Sequence, residues 1–513
     1  AVEKFLRKPK SQVSFASGIK DTWREVAFLR IRDAFVATND FDSLRLVSGF
    51  EFRCGEPKAQ RIIEQWKSRW LASAQDMQRG SVEHGKHTID LIGAGTVTLA
   101  STMAGNWFFA ATNLDDLKTL LDRADHSSSA PALESDGKYR AAMKQLPREY
   151  AWALYLQPKL LAQKLARLRD RNGRTATAVQ PALIERIDSL SHATVFNGGK
   201  IREVTFTAMP RATKAKLSRD TLAMASADTV FYLASVVNLA EHFIALPTGN
   251  SGLALQKFTG ALSAANITTE DWRAAFGEEF SVTSDWPESS RLPSVVATLN
   301  VRDAARAKKI VGTLSEAAGS EAATRNGALY FASPQTSLFT AINPTVGVSD
   351  RLVALGVEGG SVHRALAGGP AKNPLANTTV YREATKQLPE PQDMFAYVDL
   401  ANFYRRLDTM LRPLVQMSAA FVPAITSHVD PDKLPPAEMV TRHLSPIAAE
   451  QTYLDGGYRC QSIGPITLGH VIGGALAISI GAAIWGDAAP GSPRPPSPAP
   501  IPSIPAQNPT PTP

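Results

Sequence analysis

Tyr139-Arg140-Ala141-Ala142-Met143-Lys144-Gln145-Leu146-Pro147 recurs in this chain as Tyr381-Arg382-Glu383-Ala384-Thr385-Lys386-Gln387-Leu388-Pro389, with seven of nine positions identical. A match of that quality points to an internal repeat, and a repeat outranks other patterns because it sets the architecture. Working outward, the likeness continues in kind. Ala151–Leu156 answers Met394–Val398, an apolar strand in each copy, and a Leu-rich helix follows both, over Lys159–Arg169 and Leu400–Arg412. Further on, a strand from Leu190-Ser191, a turn at Asn197-Gly198-Gly199 and a strand over Ile201–Ala208 find partners in Leu444-Ser445, Asp455-Gly456-Gly457 and Tyr458–Ile463. Gly after Asn or Asp between two apolar runs is a hairpin signal, because such turns require positive φ. Upstream, Trp107–Thr112 with a helix over Asn113–Arg123 resembles Leu352–Val357 with a helix over Gly359–Leu366. The offset between the copies grows along the chain, so insertions separate them.

These matches predict two homologous α+β units, 1–212 and 213–465. Strands are expected near 43–53, 86–92, 96–101 and 106–112, then near 279–286, 294–302, 328–332, 336–342 and 350–357. Helices are expected near 56–73, 113–123, 136–146 and 303–317. Many strands joined by short turns argue for mixed or antiparallel sheets with helices packed on them. Val2-Glu3-Lys4-Phe5 matches Ala240-Glu241-His242-Phe243, which follows the strand Thr229–Val236. The first unit is therefore expected to lack its opening strand, and the chain, which begins with Ala1, to be truncated or processed.

Several strands end in a small polar residue and then enter a helix, at Asn113, Asn238, Asp303 and Asp399. Asn and Asp accept hydrogen bonds from the first free amides of a helix. Capping therefore explains these side chains better than catalysis does.

A chain of 513 residues, 44% hydrophobic and 20% charged, is long enough for several folded cores. Its two cysteines, Cys54 and Cys460, cannot form a disulfide framework; two buried thiols are expected, with a single bridge as the alternative. The net charge of +7 is uneven: between Lys159 and Arg219 thirteen Lys/Arg face four acids. Within that belt Lys164, Arg167, Arg169, Arg171 and Arg174 are candidate contacts for a polyanion or lipid headgroup. Their alternative role is to close a helix at Asn172-Gly173, where cations complement the dipole. No nucleic-acid motif and no interleaved stacking aromatics accompany them, so nucleic acid is not an expected partner.

Ile466–Trp485 carries no formal charge, and Gly469, Gly473, Ala477 and Gly481 form a ridge of small residues four apart. Such a ridge lets helices approach closely in a membrane, and the length suits a bilayer. A glycine-rich helix packed in protein looks the same in sequence. From Asp487 the chain carries eleven prolines in 27 residues, a tail (487–513) expected to be disordered and extended.

Catalytic signatures were sought. There is no G-x-S-x-G elbow, no Walker loop, no H-E-x-x-H and no paired C-x-x-C. His84 and His87 lie three apart with Glu83 beside them, which is ligand chemistry without a third ligand at suitable spacing. A solvated loop ahead of the next strand accounts for them equally well, and neither a metal nor a cofactor is expected. Trp66 with Ile62 and Ile63 stripes a core-facing helix, and Trp107-Phe108-Phe109 fits a strand buried on both faces.

At the repeated Tyr-Arg-x-Ala-x-Lys-Gln-Leu-Pro segment and at Trp107–Arg123, the chain resembles an uncharacterised family of large exported bacterial proteins with a domain of unknown function. The resemblance spans most of residues 1–465. It implies a cell-envelope location, periplasmic or membrane-anchored, and carries no catalytic residues. Three functions stay open: a non-enzymatic envelope binding scaffold, expected to engage an envelope protein or lipid; a lipid or glycolipid carrier; and an enzyme with an unfamiliar site. For the third, Glu83, His84 and His87, which have no counterpart in the second copy, are the place to look.

Overall fold

A computed structural model describes residues 25–40, 45–72, 78–94, 97–126, 131–161, 186–237, 260, 262–317, 319–332, 343–421, 435–467 and 469. The chain is α+β, with antiparallel sheets carrying packed helices, as its alternation of short turns and apolar runs requires. Two sheets form. The first contains β1 (Ala34–Asp40), β2 (Arg45–Glu51), β3 (Gln78–His84), β4 (His87–Ala94), β5 (Val97–Ala104) and β6 (Trp107–Ala111). Their order across the sheet is β1-β2-β6-β5-β4-β3. The helix α1 (Glu56–Leu71) connects β2 to β3, and α2 (Leu114–Ala124) follows β6 and packs on β5, β6 and β2.

The second sheet has thirteen strands. It takes in β7 (Trp152–Leu156), β8 (Ser189–Asn197), β9 (Lys200–Ala208), β10 (Thr229–Val236), β11 (Phe276–Asp285), β12 (Ser294–Val301) and β13 (Glu321–Arg325). The others are β14 (Ala328–Ala332), β15 (Thr345–Val348), β16 (Leu352–Gly356), β17 (Met394–Val398), β18 (Ile447–Leu454) and β19 (Gly457–Gly464). The order is β13-β14-β15-β16-β12-β11-β10-β17-β18-β19-β9-β8-β7. The described residues also form helices α3 (Gly137–Met143), α4 (Thr269–Ala275), α5 (Ala304–Ala317), α6 (Gly359–Ala367), α7 (Thr379–Thr385), α8 (Leu400–Phe421) and α9 (Ala437–Thr441). Of these, α3 lies on β8 and β9, α7 on β18, and α6 on β12, β15 and β16.

The expected unit boundary at 212 is bridged by hydrogen bonds. β9 pairs with β19 over eight positions, from Ile201↔Gly464 to Ala208↔Gly457. Residues of both expected units thus lie in one sheet. Tight turns close the hairpins as anticipated, with Gly198-Gly199 between β8 and β9 and Asp455-Gly456 between β18 and β19, all four at positive φ.

Capping bears out the sequence reading at three of its four sites. The Asn113 side chain accepts from the amides of Asp115 and Asp116, Asp303 from Arg306 at 3.0 Å, and Asp399 from Asn402 at 2.9 Å. Asn238 lies outside the described residues, as does the strand expected at 336–342. Four strands were not foreseen, β1, β3, β13 and β15; the polar sequences of β3 and β13 and their exposed side chains leave no apolar alternation to read. Trp107 and Phe108 are half-buried and only Phe109 is buried, so β6 is less enclosed than its sequence suggests. Both cysteines are free. Cys460 sits within β19, where burial pushes its thiol up to about 12.

Candidate functional site

A cleft of roughly 540 Å³ opens on the first sheet, lined by Phe35, Lys86, His87, Trp107, Phe109 and Asp125 among others. Its floor follows from register. Phe35 on β1 is paired with Gly49 on β2, and Gly49 in turn with Phe109 on β6, so all three share one face. Trp107, two residues from Phe109 and therefore on the same face, stacks on it with ring centroids 5.5 Å apart and planes at 7°. Phe35 leans on both rings, at 6.2 Å from Trp107 and 6.4 Å from Phe109. Glycine is required between them. A Cβ on Gly49 would stand 2.7 Å from Phe109 Cδ1 and 2.8 Å from Phe35 Cε1.

The rim is polar. His84 and His87 face each other across the β3–β4 hairpin, whose turn residue Gly85 has φ 59°. Each imidazole meets its own carboxylate at the end of α2. His84 Nε2 lies 2.8 Å from Asp122 Oδ1, and His87 Nε2 3.0 Å from Asp125 Oδ2. Lys86 Nζ lies 2.9 Å from the other Asp125 oxygen. The Lys86 ammonium, with His87 beside it, holds the Asp125 carboxyl below the usual carboxylate range. Cations near the last turn of α2 also suit the helix dipole. Glu83 points to the opposite face, where Thr88 Oγ1 donates to it at 3.0 Å. The suspected trio therefore does not converge. Among the described residues no group of three His, Cys, Asp or Glu is placed to hold a metal ion. The cleft offers an aromatic floor and a charged lip, a combination suited to binding a partly apolar group.

A second polar cluster escaped the sequence reading. Glu450 is fully buried on β18, where Thr452 Oγ1 donates to its Oε2 at 2.9 Å. Burial raises its pKa; the Thr452 hydrogen bond and the Arg459 guanidinium oppose that shift. Nearby, Asp393 accepts from Arg211 Nη2 at 2.9 Å and from the Tyr453 amide at 2.7 Å. One signal was visible: Glu450 closes the apolar run Ile447-Ala448-Ala449, and a carboxylate so placed is buried at a cost.

Of the basic belt, Lys164, Arg167, Arg169, Arg171 and Arg174 lie outside the described residues. Several described members are engaged within the protein. Arg202 donates to Gln461 at 2.6 Å, Arg211 pairs with Asp393, and Arg219 binds Glu390 and lies over the Phe395 ring. Of the small-residue ridge, Gly473, Ala477 and Gly481 are likewise outside, and Gly469 is described. A Cβ at Gly469 would lie 2.5 Å from Glu203 Oε2, the oxygen to which buried Thr467 donates. The ridge therefore begins in contact with β9. Among the described residues no helix is long and apolar enough to cross a membrane.

In comparisons with known proteins, no family model, no curated protein and no solved structure matches this chain.

Proposed function

We propose that the chain is a non-enzymatic binding scaffold of the bacterial envelope, built from two copies of one α+β unit joined through a common sheet. The observation that carries the scaffold reading is the β9–β19 ladder, which ties residues 201–208 to residues 457–464 in a continuous sheet. A sheet of that extent presents fixed binding surfaces on both units.

Strand order supports the duplication. β3-β4-β5-β6-β2-β1 runs parallel in connectivity to β13-β14-β15-β16-β12-β11, and β7-β8-β9 to β17-β18-β19. α2 lies on β5, β6 and β2 as α6 lies on β15, β16 and β12. Asp136 accepts from the Tyr139 amide at the start of α3, and Thr378 from the Tyr381 amide at the start of α7. Tyr139 packs on Tyr155 with centroids 5.0 Å apart, and Tyr381 on Tyr397 at 5.3 Å.

Divergence between the copies favours a binding role for the first. Where Phe35, Gly49 and Phe109 build the cleft floor, the equivalent row in the second copy is Ser281, Thr298 and Ala354. That row is closed by a hydrogen bond of 2.7 Å between Ser281 and Thr298. The envelope location draws support from the resemblance at Trp107–Arg123 and from the uncharged run Ile466–Trp485.

Fractionation of the natively expressed protein with alkaline extraction tests the location, alongside a version ending at Gly469, which keeps the Thr467–Glu203 contact. Recovery of the intact protein with the envelope is expected; recovery from the cytosol alone would sink this reading. Lipid co-purifying in stoichiometric amount would transfer it to the carrier alternative.

A further inference from the structure

We infer that the cleft of the first unit binds a neutral saccharide, a pyranose ring with equatorial hydroxyls laid against the Trp107 floor and held at its edge by Asp125 and Lys86. The inference rests on the duplication and the binding role proposed above, and it names the ligand class.

The second unit shows what the fold needs and what it does not. Register equates Phe35, Trp107 and Phe109 with Ser281, Leu352 and Ala354. The β3–β4 turn, where His84 pairs with His87, corresponds to the β13–β14 turn, where Arg325 pairs with Ala328. Lys86 and His87 thus give way to Gly327 and Ala328. Asp125 stands at the C-cap of α2, and the C-cap of α6 is Gly368. All six changes remove a ring, a charge or an imidazole. The second unit folds without these groups, so a shared structural role does not account for their gathering around one cleft.

The lip sets the charge of the occupant. Lys86 Nζ and Asp125 Oδ1 form an ion pair of 2.9 Å whose formal charges cancel, with His87 Nε2 on the second carboxylate oxygen. An anion meets Asp125 and a cation meets Lys86, so neither gains over a neutral molecule. The pair still has hydrogen-bonding capacity. An ammonium carries three donors and Asp125 takes one; each carboxylate oxygen has two lone pairs and one such partner. A hydroxyl, which both donates and accepts, satisfies both groups.

The floor sets the shape. Trp107 is half-buried and borders the cleft, braced by the Phe109 ring stacked on it and by Phe35. Such a floor suits an occupant that is apolar on its flat side and polar around its edge. A pyranose with equatorial hydroxyls is built that way: its axial C–H bonds cover both faces, and the negative face of an aromatic ring attracts them. The volume, roughly 540 Å³, lies in the range of small-ligand sites. At Gly105, on the lining, an added Cβ would meet nothing within 4 Å, which leaves an exit for a longer glycan. A nucleotide shares the flat shape, but its phosphates find no net positive charge at this lip.

The test is a saturation-transfer NMR titration of the full chain with methyl β-cellobioside, a neutral disaccharide whose ring substituents are all equatorial. Saturable binding is expected. Trp107→Leu, which copies the second unit, should bind at least about tenfold more weakly, and Trp107→Tyr should recover most of the loss. Lys86→Ala with Asp125→Ala removes the lip without changing net charge and should weaken binding about fivefold. Absence of saturable binding, or binding unaltered in Trp107→Leu, overturns the inference. If Trp107→Leu does not fold, the double variant decides, and unaltered binding by it is fatal. Tighter binding of the corresponding glucuronic acid disaccharide overturns the neutral class. Adenosine bound in its place, with the same dependence on Trp107, makes the occupant a nucleobase and overturns it too. If the glycoside fails but the protein fractionates with the envelope, the saccharide inference falls and the scaffold reading stands.

Discussion

Tyr381 and Tyr139 sit at the same point of the repeated nine-residue motif and meet opposite surroundings. Tyr381 is buried against Phe395 and Tyr397, beneath β10. Tyr139 is half-buried and keeps one ring partner, Tyr155. Burial pushes the phenol pKa up at both positions. Sequence identity at seven of nine positions therefore does not carry environment with it. Among the described residues a strand, β10, lies over Tyr381 and none lies over Tyr139.

The largest test of that contrast is mutational. Tyr232→Ala removes the ring at the centre of the second core and should cost about 3–5 kcal/mol in urea unfolding. Tyr155→Ala, on β7, should cost less, about 2 kcal/mol, because its ring is only partly buried. Equal losses would mean that β7 is as enclosed as β17.

A sharper comparison sits in the first sheet. Gly49→Ala forces the Phe35 and Phe109 rings apart and should destabilise by about 1–3 kcal/mol, with a near-ultraviolet circular dichroism change as Trp107 and Phe109 unstack. Thr298→Ala in the equivalent row disturbs no ring and leaves that signal unaltered.

The smallest effect concerns Glu450, whose counterpart on β8 is Ala193. Its folded pKa lies above the ordinary value, so as pH rises the unfolded chain loses this proton first. Stability from this group is thus full below the usual glutamate range and declines as pH climbs to the folded pKa. Glu450→Gln should match the parent in acid and exceed it by up to about 1 kcal/mol at neutral pH, flattening that part of the profile. An unchanged slope would show that Glu450 is not its source.

Much of the fold was legible because apolar runs end at residues that cap the following helix. Trp107–Thr112 with its Asn113 cap, and Met394–Val398 with Asp399, gave strand and helix start together. Strands β1, β3, β13 and β15 were missed; β3 and β13 are exposed along most of their length on both faces, so neither carries the apolar alternation of a half-buried strand. Phe35 was missed with β1, so one of the three rings of the aromatic floor went unseen although Trp107 and Phe109 had been noticed. His84 and His87 were read as a metal pair or a solvated loop; they lie on β3 and β4, and Asp122 and Asp125, which engage them, come from the end of a helix 38 residues away. The β9–β19 ladder has no local signature at all, since each strand alone reads as an ordinary hairpin arm.

That ladder also sets an order of events during synthesis. β9 leaves the ribosome early, and its partner β19 follows about 250 residues later, which at roughly 5–20 residues per second is a delay of about 10–50 s. Throughout that interval the inner edge of β9 stands open, with Ile201, Val204 and Phe206 beside it. The closing strand of the large sheet is thus the last one made, and a nascent chain that pairs β9 with a neighbouring copy first is committed to the wrong assembly.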